Sequence, residues 1–287
     1  MDISSDTESV YSEALALLEK EDYAEAVDRL ALAAKNGHIR AQVDLGTMYV
    51  TGTGVQCDPK TAFGYFRMAA EGGNPEAQSY LGRMYLNGDG TEQSDKKAFR
   101  WLSEASGKGE TDALNCLGYM YHEGRGCDKS LDKSIECFAG AAEGGDPEAP
   151  YNAGSAYLEK EDYANAAKYF DMGVGLDDPE CMAELGLLYR DGKGVEQSGE
   201  RALELFDAAY EAGNPDGLLY KSTLFMNLIG MVWEAADHGS TKALNQLAAQ
   251  FKNDPEKIAR LKRDYEALLE SNPDAQEAYE EFERIIS

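Results

Sequence analysis

The 287-residue chain carries 53 Asp and Glu against 27 Lys and Arg, a net charge of −26. That balance works against nucleic-acid binding, which rests on clustered cations at phosphates, and favours basic partners or simply solubility. Five cysteines, Cys57, Cys116, Cys127, Cys137 and Cys181, form no CxxC pair, so neither a metal nor a disulfide framework reads out. The acidic start Met1-Asp2-Ile3-Ser4-Ser5-Asp6 lacks the basic region and apolar core of a signal peptide, and a cytoplasmic protein is expected.

Read in order, the chain repeats. An opening alanine recurs at 41, 77, 113 and 149, every 36 residues, and its place is then taken by Cys181 and Gly217. Each unit has two apolar runs of helical period joined by a segment rich in Gly and Asp, which predicts a helix, a loop and a second helix. In the unit at 76–111, Ala77, Leu81, Met84 and Tyr85 fall on one face of a first helix, and Ala98, Trp101, Leu102 and Ala105 on one face of a second. Gly46, Gly82, Gly118, Gly154 and Gly186 stand in mid-helix, where Gly costs about 1 kcal/mol relative to Ala. Close approach of the paired helix is the expected reason.

The loops Gly52-Thr53-Gly54, Gly88-Asp89-Gly90, Gly124-Arg125-Gly126 and Gly192-Lys193-Gly194 supply two turn-forming residues each. None continues into a phosphate-binding GxxxxGK[ST] or GxGxxG motif. Unit ends read Gly73-Asn74-Pro75, Gly145-Asp146-Pro147 and Gly213-Asn214-Pro215. There Gly should stop one helix, Asn or Asp should cap the next, and Pro should take its first position.

The recurring A-x3-LG-x2-Y-x2-G-x-G pattern, followed by A-x2-(W/Y/C/L)(F/L)-x2-A, resembles the Sel-1-like repeat, a relative of the tetratricopeptide repeat with a longer internal loop. Full-length units lie at 40–75, 76–111, 112–147 and 180–215. Those at 9–39 and 148–179 have a shorter loop and share the runs Leu18-Glu19-Lys20-Glu21-Asp22-Tyr23-Ala24 and Leu158-Glu159-Lys160-Glu161-Asp162-Tyr163-Ala164, and they look tetratricopeptide-like. A degenerate unit follows at 216–241, where Trp233, Ala235-Ala236 and Gly239 match the end of a second helix. The fold implied is all-α: a right-handed α-solenoid of about seven stacked helix-loop-helix units, closed by C-terminal capping helices at 242–287.

The run 218–233 is the most apolar in the chain, but Lys221 and Asn227 interrupt it, and buried helices are expected rather than a membrane span. Ile258, Leu261, Tyr265 and Leu268 then mark one helix, and Ala278, Tyr279, Phe282 and Ile286 a last one beginning at Pro273. These helices are expected to cap the array or to mediate dimerisation.

Chemistry is sparse. His38, His122 and His238 are far apart and form no HExxH, so no metal site is expected. Cys116 and Cys137 read as buried apolar residues, while Cys57 and Cys127 lie in the loops. Some secreted members of the resembling family carry cysteine-stapled repeats linked to β-lactam binding. The cysteines here do not recur at equivalent positions, and that activity is not implied. Ser94-Asp95-Lys96-Lys97 matches Ser-x-x-Lys in one unit only. No cofactor is called for.

The resemblance implies that first helices line a concave side, with exposed positions six and three residues before the mid-helix glycine and one, four and five after it. Those offsets select Arg40, Val43 and Thr47; Ser79, Arg83 and Asn87; Asn115, Tyr119, His122 and Glu123; Tyr151 and Glu159; and Arg190 and Asp191. Arg83 and Arg190 are cations in an acidic protein, and Tyr119 and Tyr151 offer aromatic platforms of the kind enriched at interface hot spots. The expected function is a non-catalytic scaffold or adaptor holding a protein or peptide segment in its concave groove, a basic partner being one the charge would favour, without nucleic acid or a membrane span. The alternatives are a hydrolase using groove carboxylates or Cys57 and Cys127, and a secreted or host-directed effector on the same repeats.

Overall fold

The computed structural model describes residues 3–221, 223, 224, 245, 248, 249, 254–271 and 276–286. Regular structure among them is helical throughout. A first compact unit, Met1–Leu176, holds five helix pairs: α1 (Ile3–Leu18) with α2 (Tyr23–Lys35), α3 (Ile39–Thr51) with α4 (Pro59–Glu71), α5 (Pro75–Asn87) with α6 (Asp95–Ser106), α7 (Thr111–Glu123) with α8 (Leu131–Glu143), and α9 (Ala149–Glu159) with α10 (Tyr163–Val174). A second, Asp177–Ser287, contains α11 (Pro179–Asp191), α12 (Gly199–Glu211), α13 (Pro255–Ser271) and α14 (Gln276–Ile286). Each helix in the first unit packs on its pair partner, and each second helix packs on the next first helix, giving a solenoid of repeats.

The mid-helix glycines are where the pairs close. A Cβ built on Gly82 would lie 2.6 Å from the Leu102 side chain, and one on Gly118 would lie 2.4 Å from the Phe138 ring. Gly46, Gly154 and Gly186 meet Phe66, Phe170 and Phe206 in the same way. These bulky residues are fully or almost fully buried, and each contributes about 1.5–3 kcal/mol by leaving water. Between pairs, aromatic rings fill the remaining space. Tyr80 stacks on Phe66 at 4.5 Å, while Tyr85 meets Phe63 edge-on at 5.3 Å and Tyr121 meets Phe99 at 5.4 Å. Buried Gln42 and Gln78 donate to the Ala34 and Ala70 carbonyls, tying a first helix to the end of the preceding second helix.

The loop glycines have two separate duties. Gly88 takes φ 83 and its N–H closes α5 onto the Met84 carbonyl. Gly90 has to be small as well, because a Cβ there would come 2.1 Å from the Pro59 carbonyl oxygen of the preceding pair. In the two short-loop units the left-handed residue is instead Glu21 (φ 59) or Glu161 (φ 60), followed by a capping Asp22 or Asp162.

The expected Gly-Asn/Asp-Pro start holds at α5, where Asn74 accepts from the Ala77 N–H and Pro75 opens the helix. It fails at Pro147: α9 begins at Ala149 and Pro147 lies in the preceding turn. The reason is Pro150, which has no N–H to give the Asp146 carbonyl, so an α-ladder cannot run from 147 through that position. After Asn214 the helical residues likewise begin at Asp216 rather than Pro215, and the Asp216 N–H bonds the Asn214 side chain.

In the second unit Leu224 and Tyr220 pack around Phe206 of α12. α13 and α14 pack on each other, with Leu261 and Phe282, both expected from periodicity, fully buried. Most of 216–241, including Trp233, Ala235-Ala236 and Gly239, lies outside the described residues.

Gly118→Ala should lower stability by about 1–3 kcal/mol, because the new methyl displaces the Phe138 ring. Gly64→Ala, mid-helix in α4 with nothing within 4 Å of a built Cβ, should be neutral or stabilising by up to about 1 kcal/mol. Chemical denaturation of the two variants checks this, and a Gly118→Ala protein as stable as the parent would contradict the packing account.

Candidate protein-binding surface

The residues selected from sequence divide by burial. Arg40, Arg83, Asn87, Tyr119, Glu123, Glu159 and Asp191 are exposed, whereas Thr47, His122, Tyr151 and Arg190 are half-buried. Val43 (1% exposed), Ser79 (4%) and Asn115 (6%) are buried, contrary to the expected exposure. A residue three positions before the glycine is only about 60° around the helix from it, so it is drawn under the same packing.

Pairing divides the cations further. Arg40 donates to Glu76 at 2.6 Å and lies 3.3 Å from Asp44. Arg190, in the second unit, is held by its neighbour Asp191 through two bonds of 2.6 and 3.1 Å. Arg83 makes no hydrogen bond or ion pair with any of the described residues, although five carboxylates line the two hollows it borders. The first, of about 260 Å³, is walled by Glu76, Glu110 and Asp112, with Tyr80 and Ser79. The second, of about 270 Å³, has Asp112, Asp146 and Glu148 on its walls, with Asn115 and Tyr119.

Apart from Glu76, which Arg40 holds, these carboxylates have no ion pair among the described residues. Burial, then Asp112 and Glu76, raise the Glu110 carboxyl above its ordinary range. Burial also raises Asp146, although the Glu148 N–H bonds it at 2.9 Å. The acids were missed in the sequence reading, as were Tyr80, Cys116 and Asn152 two residues before the glycines. A signal was present: Glu76, Asp112 and Glu148 recur at one offset every 36 residues.

A third hollow, of about 270 Å³, lies beside the second and is lined by Tyr119, His122, Phe138, Asn152 and Glu159. Here α7 and α9 are tied by polar bonds. The Tyr119 hydroxyl donates to Asn152 Oδ1 at 2.7 Å, and Asn152 Nδ2 donates to Asn115 Oδ1 at 2.9 Å. His122 places Nε2 2.7 Å from Glu159 and Nδ1 2.8 Å from Glu123. Thus Arg83, Asn115, Tyr119 and His122 form one continuous surface on α5 and α7. Asn87 sits apart, bonded to Asp89, and Tyr151 lies against Phe170 at 6.2 Å.

Four of the five thiols are poorly suited to nucleophilic work. Burial pushes Cys116 and Cys137 up to about 11, and raises Cys127 and Cys181 as well. All five are free, and Cys57 is exposed with its thiol on the Val50 carbonyl. Among the described residues no cluster of three or more His, Cys, Asp or Glu could hold a metal ion, and no helix is long and apolar enough to cross a membrane.

Paired helices with a glycine seam, and a polar first-helix face that holds hollows, define a tetratricopeptide-like repeat protein. A family model described as the Sel1 repeat matches residues 39–74, 75–110, 111–146 and 179–214, and the chain belongs to that family. The matches coincide with the four long-loop units. Among solved structures, a Sel1 repeat protein from Oxalobacter formigenes is 26% identical with a TM-score of 0.67, covering 75% of this chain and 88% of that one. The uropathogenic Escherichia coli protective antigen c5321, which displays an SLR fold, is 26% identical with a TM-score of 0.73. That match covers 93% of this chain but only 65% of the antigen. No curated protein sequence matches the chain. Sel1 repeat proteins are in general protein-interaction scaffolds and typically non-enzymatic.

With a carboxylate facing each ring nitrogen, His122 is favoured as the doubly protonated imidazolium, and its pKa is raised, first by the bond to Glu159 and then by that to Glu123. A raised folded pKa gives stabilisation that is complete below the unfolded value of about 6.5 and is lost as pH rises through the folded value. NMR titration should therefore place the His122 midpoint above about 6.5. The parent should lose more thermal stability than His122→Gln between pH 6 and 8. An equal loss in both proteins would refute the assignment.

Proposed function

We propose that the chain is a non-catalytic scaffold that binds a basic peptide or protein segment across the first-helix face of α5, α7 and α9. The observation that carries this reading is the pair of acid-walled hollows meeting at the unpaired Arg83. With Arg40 and Glu76 offsetting each other, Glu110, Asp112, Asp146 and Glu148 outnumber Arg83. An approaching cation therefore meets an uncompensated negative field at short range. Exposed Tyr119 adds apolar area that survives salt, and the family's general scaffold role agrees with a binding surface rather than a reaction centre.

An enzymatic reading through the Cys127 thiol finds less support, because its thiolate is opposed by burial and by Asp128. In the scaffold reading the repeat array extends to 241, residues 242–287 close it, and the free thiols suit a reducing cytoplasm.

Selection of a random peptide library on the immobilised full chain tests the proposal. Lys and Arg should be enriched among bound peptides, and binding should weaken as salt approaches about 0.5 M, where screening shortens the reach of the carboxylates. An Asp112→Asn, Glu148→Gln protein should lose the enrichment. Recovery of peptides without a basic bias, or an unchanged bias in the double variant, would contradict the reading.

A further inference from the structure

The floors of the two acid-walled hollows hold residues at the same repeat position, Ser79 and Asn115, three before the glycines of α5 and α7. Both are more than nine-tenths buried. The Ser79 hydroxyl has no hydrogen-bond partner among the described residues, and it lines the first hollow.

Asn115 is oriented by a relay. Because the Tyr119 hydroxyl donates to Asn152 Oδ1, the Asn152 amide nitrogen is left to donate to Asn115 Oδ1. That fixes the flip of Asn115 and leaves its own Nδ2 hydrogens for the second hollow, where no described residue accepts them. Among the described residues the buried, unpartnered side-chain atom is Asp264 Oδ2, so the Ser79 hydroxyl and the Asn115 amide nitrogen open onto the hollows and are available to an acceptor there. Each hollow therefore has a neutral donor at its floor, carboxylates on its walls and the Arg83 guanidinium between. Floor donors fit main-chain carbonyls, and the walls fit cationic side chains.

The spacing narrows the ligand further. The hollows share Arg83 and Asp112, and their floors stand on α5 and α7, neighbouring first helices in contact, for which helix packing gives a separation of about 8–10 Å. A polyproline II segment advances about 3.1 Å per residue with three residues per turn, so residues i and i+3 point the same way about 9 Å apart. Its carbonyls make no internal hydrogen bonds and are free to accept.

Resting on the scaffold reading above, we propose that these hollows are paired subsites for an extended, polyproline II-like segment carrying Lys or Arg at i and i+3. Its backbone carbonyls accept from Ser79, Asn115 and Arg83, and one cationic side chain enters each hollow. Asp112, which lines both, serves both cations.

Fluorescence anisotropy of the full chain with two labelled peptides of equal composition and charge tests this. One has the order Gly-Pro-Lys-Pro-Pro-Lys-Pro-Gly and the other Gly-Pro-Lys-Lys-Pro-Pro-Pro-Gly. The first should bind about tenfold more tightly, the value of one charge-assisted hydrogen bond. Asp112→Asn should weaken the first peptide about tenfold and narrow the spacing preference. Tyr119→Phe, which removes the exposed hydroxyl that orients Asn152 and hence Asn115 while leaving the buried Asn115 side chain in place, should weaken both peptides. Glu136→Gln, on the exposed side of α8, should change nothing. Equal affinity for the two peptides, with both weakened by Asp112→Asn, would overturn the paired subsites while leaving a basic partner intact. Binding of neither peptide, with library selection still returning basic clones, would overturn this proposal alone.

Discussion

The four long-loop repeats and the short one at 148–179 each depend on a single contact, a backbone without a side chain pressed against a bulky apolar residue of its own partner helix, whereas the short repeat at 9–39 has Ala14 at that place. A built Cβ on Gly46, Gly82, Gly118, Gly154 or Gly186 would approach the facing Phe or Leu to between 2.4 and 2.7 Å. The contact sets how closely the two helices lie and fixes the rotation of the first helix about its axis. That rotation decides which residues reach solvent. Position plus one from the glycine, Arg83 and Tyr119, is thrown outward; position minus three, Ser79 and Asn115, is pulled down to the floor.

With the helices fixed, some polar groups on their exposed side meet across repeats, as Arg40 does with Glu76 and His122 with Glu159, while others stay apart. Arg83 stays apart from carboxylates that line the same hollows, and Glu110 and Asp146 stay partly desolvated beside like charges. In the scaffold proposed above, this surface offers a ligand donors, carboxylates and an aromatic ring on a rigid seam, and burial opposes the thiolate of Cys116 on its wall.

Much of the fold was legible in the sequence because a repeat states its own period. Every copy of the glycine, the loop and the opening small residue corroborated the others, and Leu261 and Phe282 beyond the array were picked out by helical spacing. The start of α9 was not legible, since one proline, Pro150, cancels the capping signal of Asp146-Pro147. Of the exposure the offset rule expects, Arg83 and Tyr119 have it and His122 has it in part, whereas Val43, Ser79 and Asn115 are buried and the acidic walls at Glu110 and Asp146 lie off its positions. Periodicity gives the face of a helix to within a residue or so, whereas burial turns on some tens of degrees of rotation. Nor does it say that Arg190 is neutralised by its neighbour while Arg83 is not; that depends on rotamers.

The most direct measurement is a nitrogen-15 chemical-shift perturbation map of the full chain titrated with the Lys-Pro-Pro-Lys peptide. The structure predicts that the largest changes fall on the Asn115 side-chain amide, the Arg83 Nε–H and the backbone of Ser79 and Asp112, with α4, α6 and α8 quiet on their outer faces. Perturbations concentrated on the loops around Gly52-Thr53-Gly54 and Gly88-Asp89-Gly90, or on those outer faces, would contradict the first-helix surface as the place of recognition.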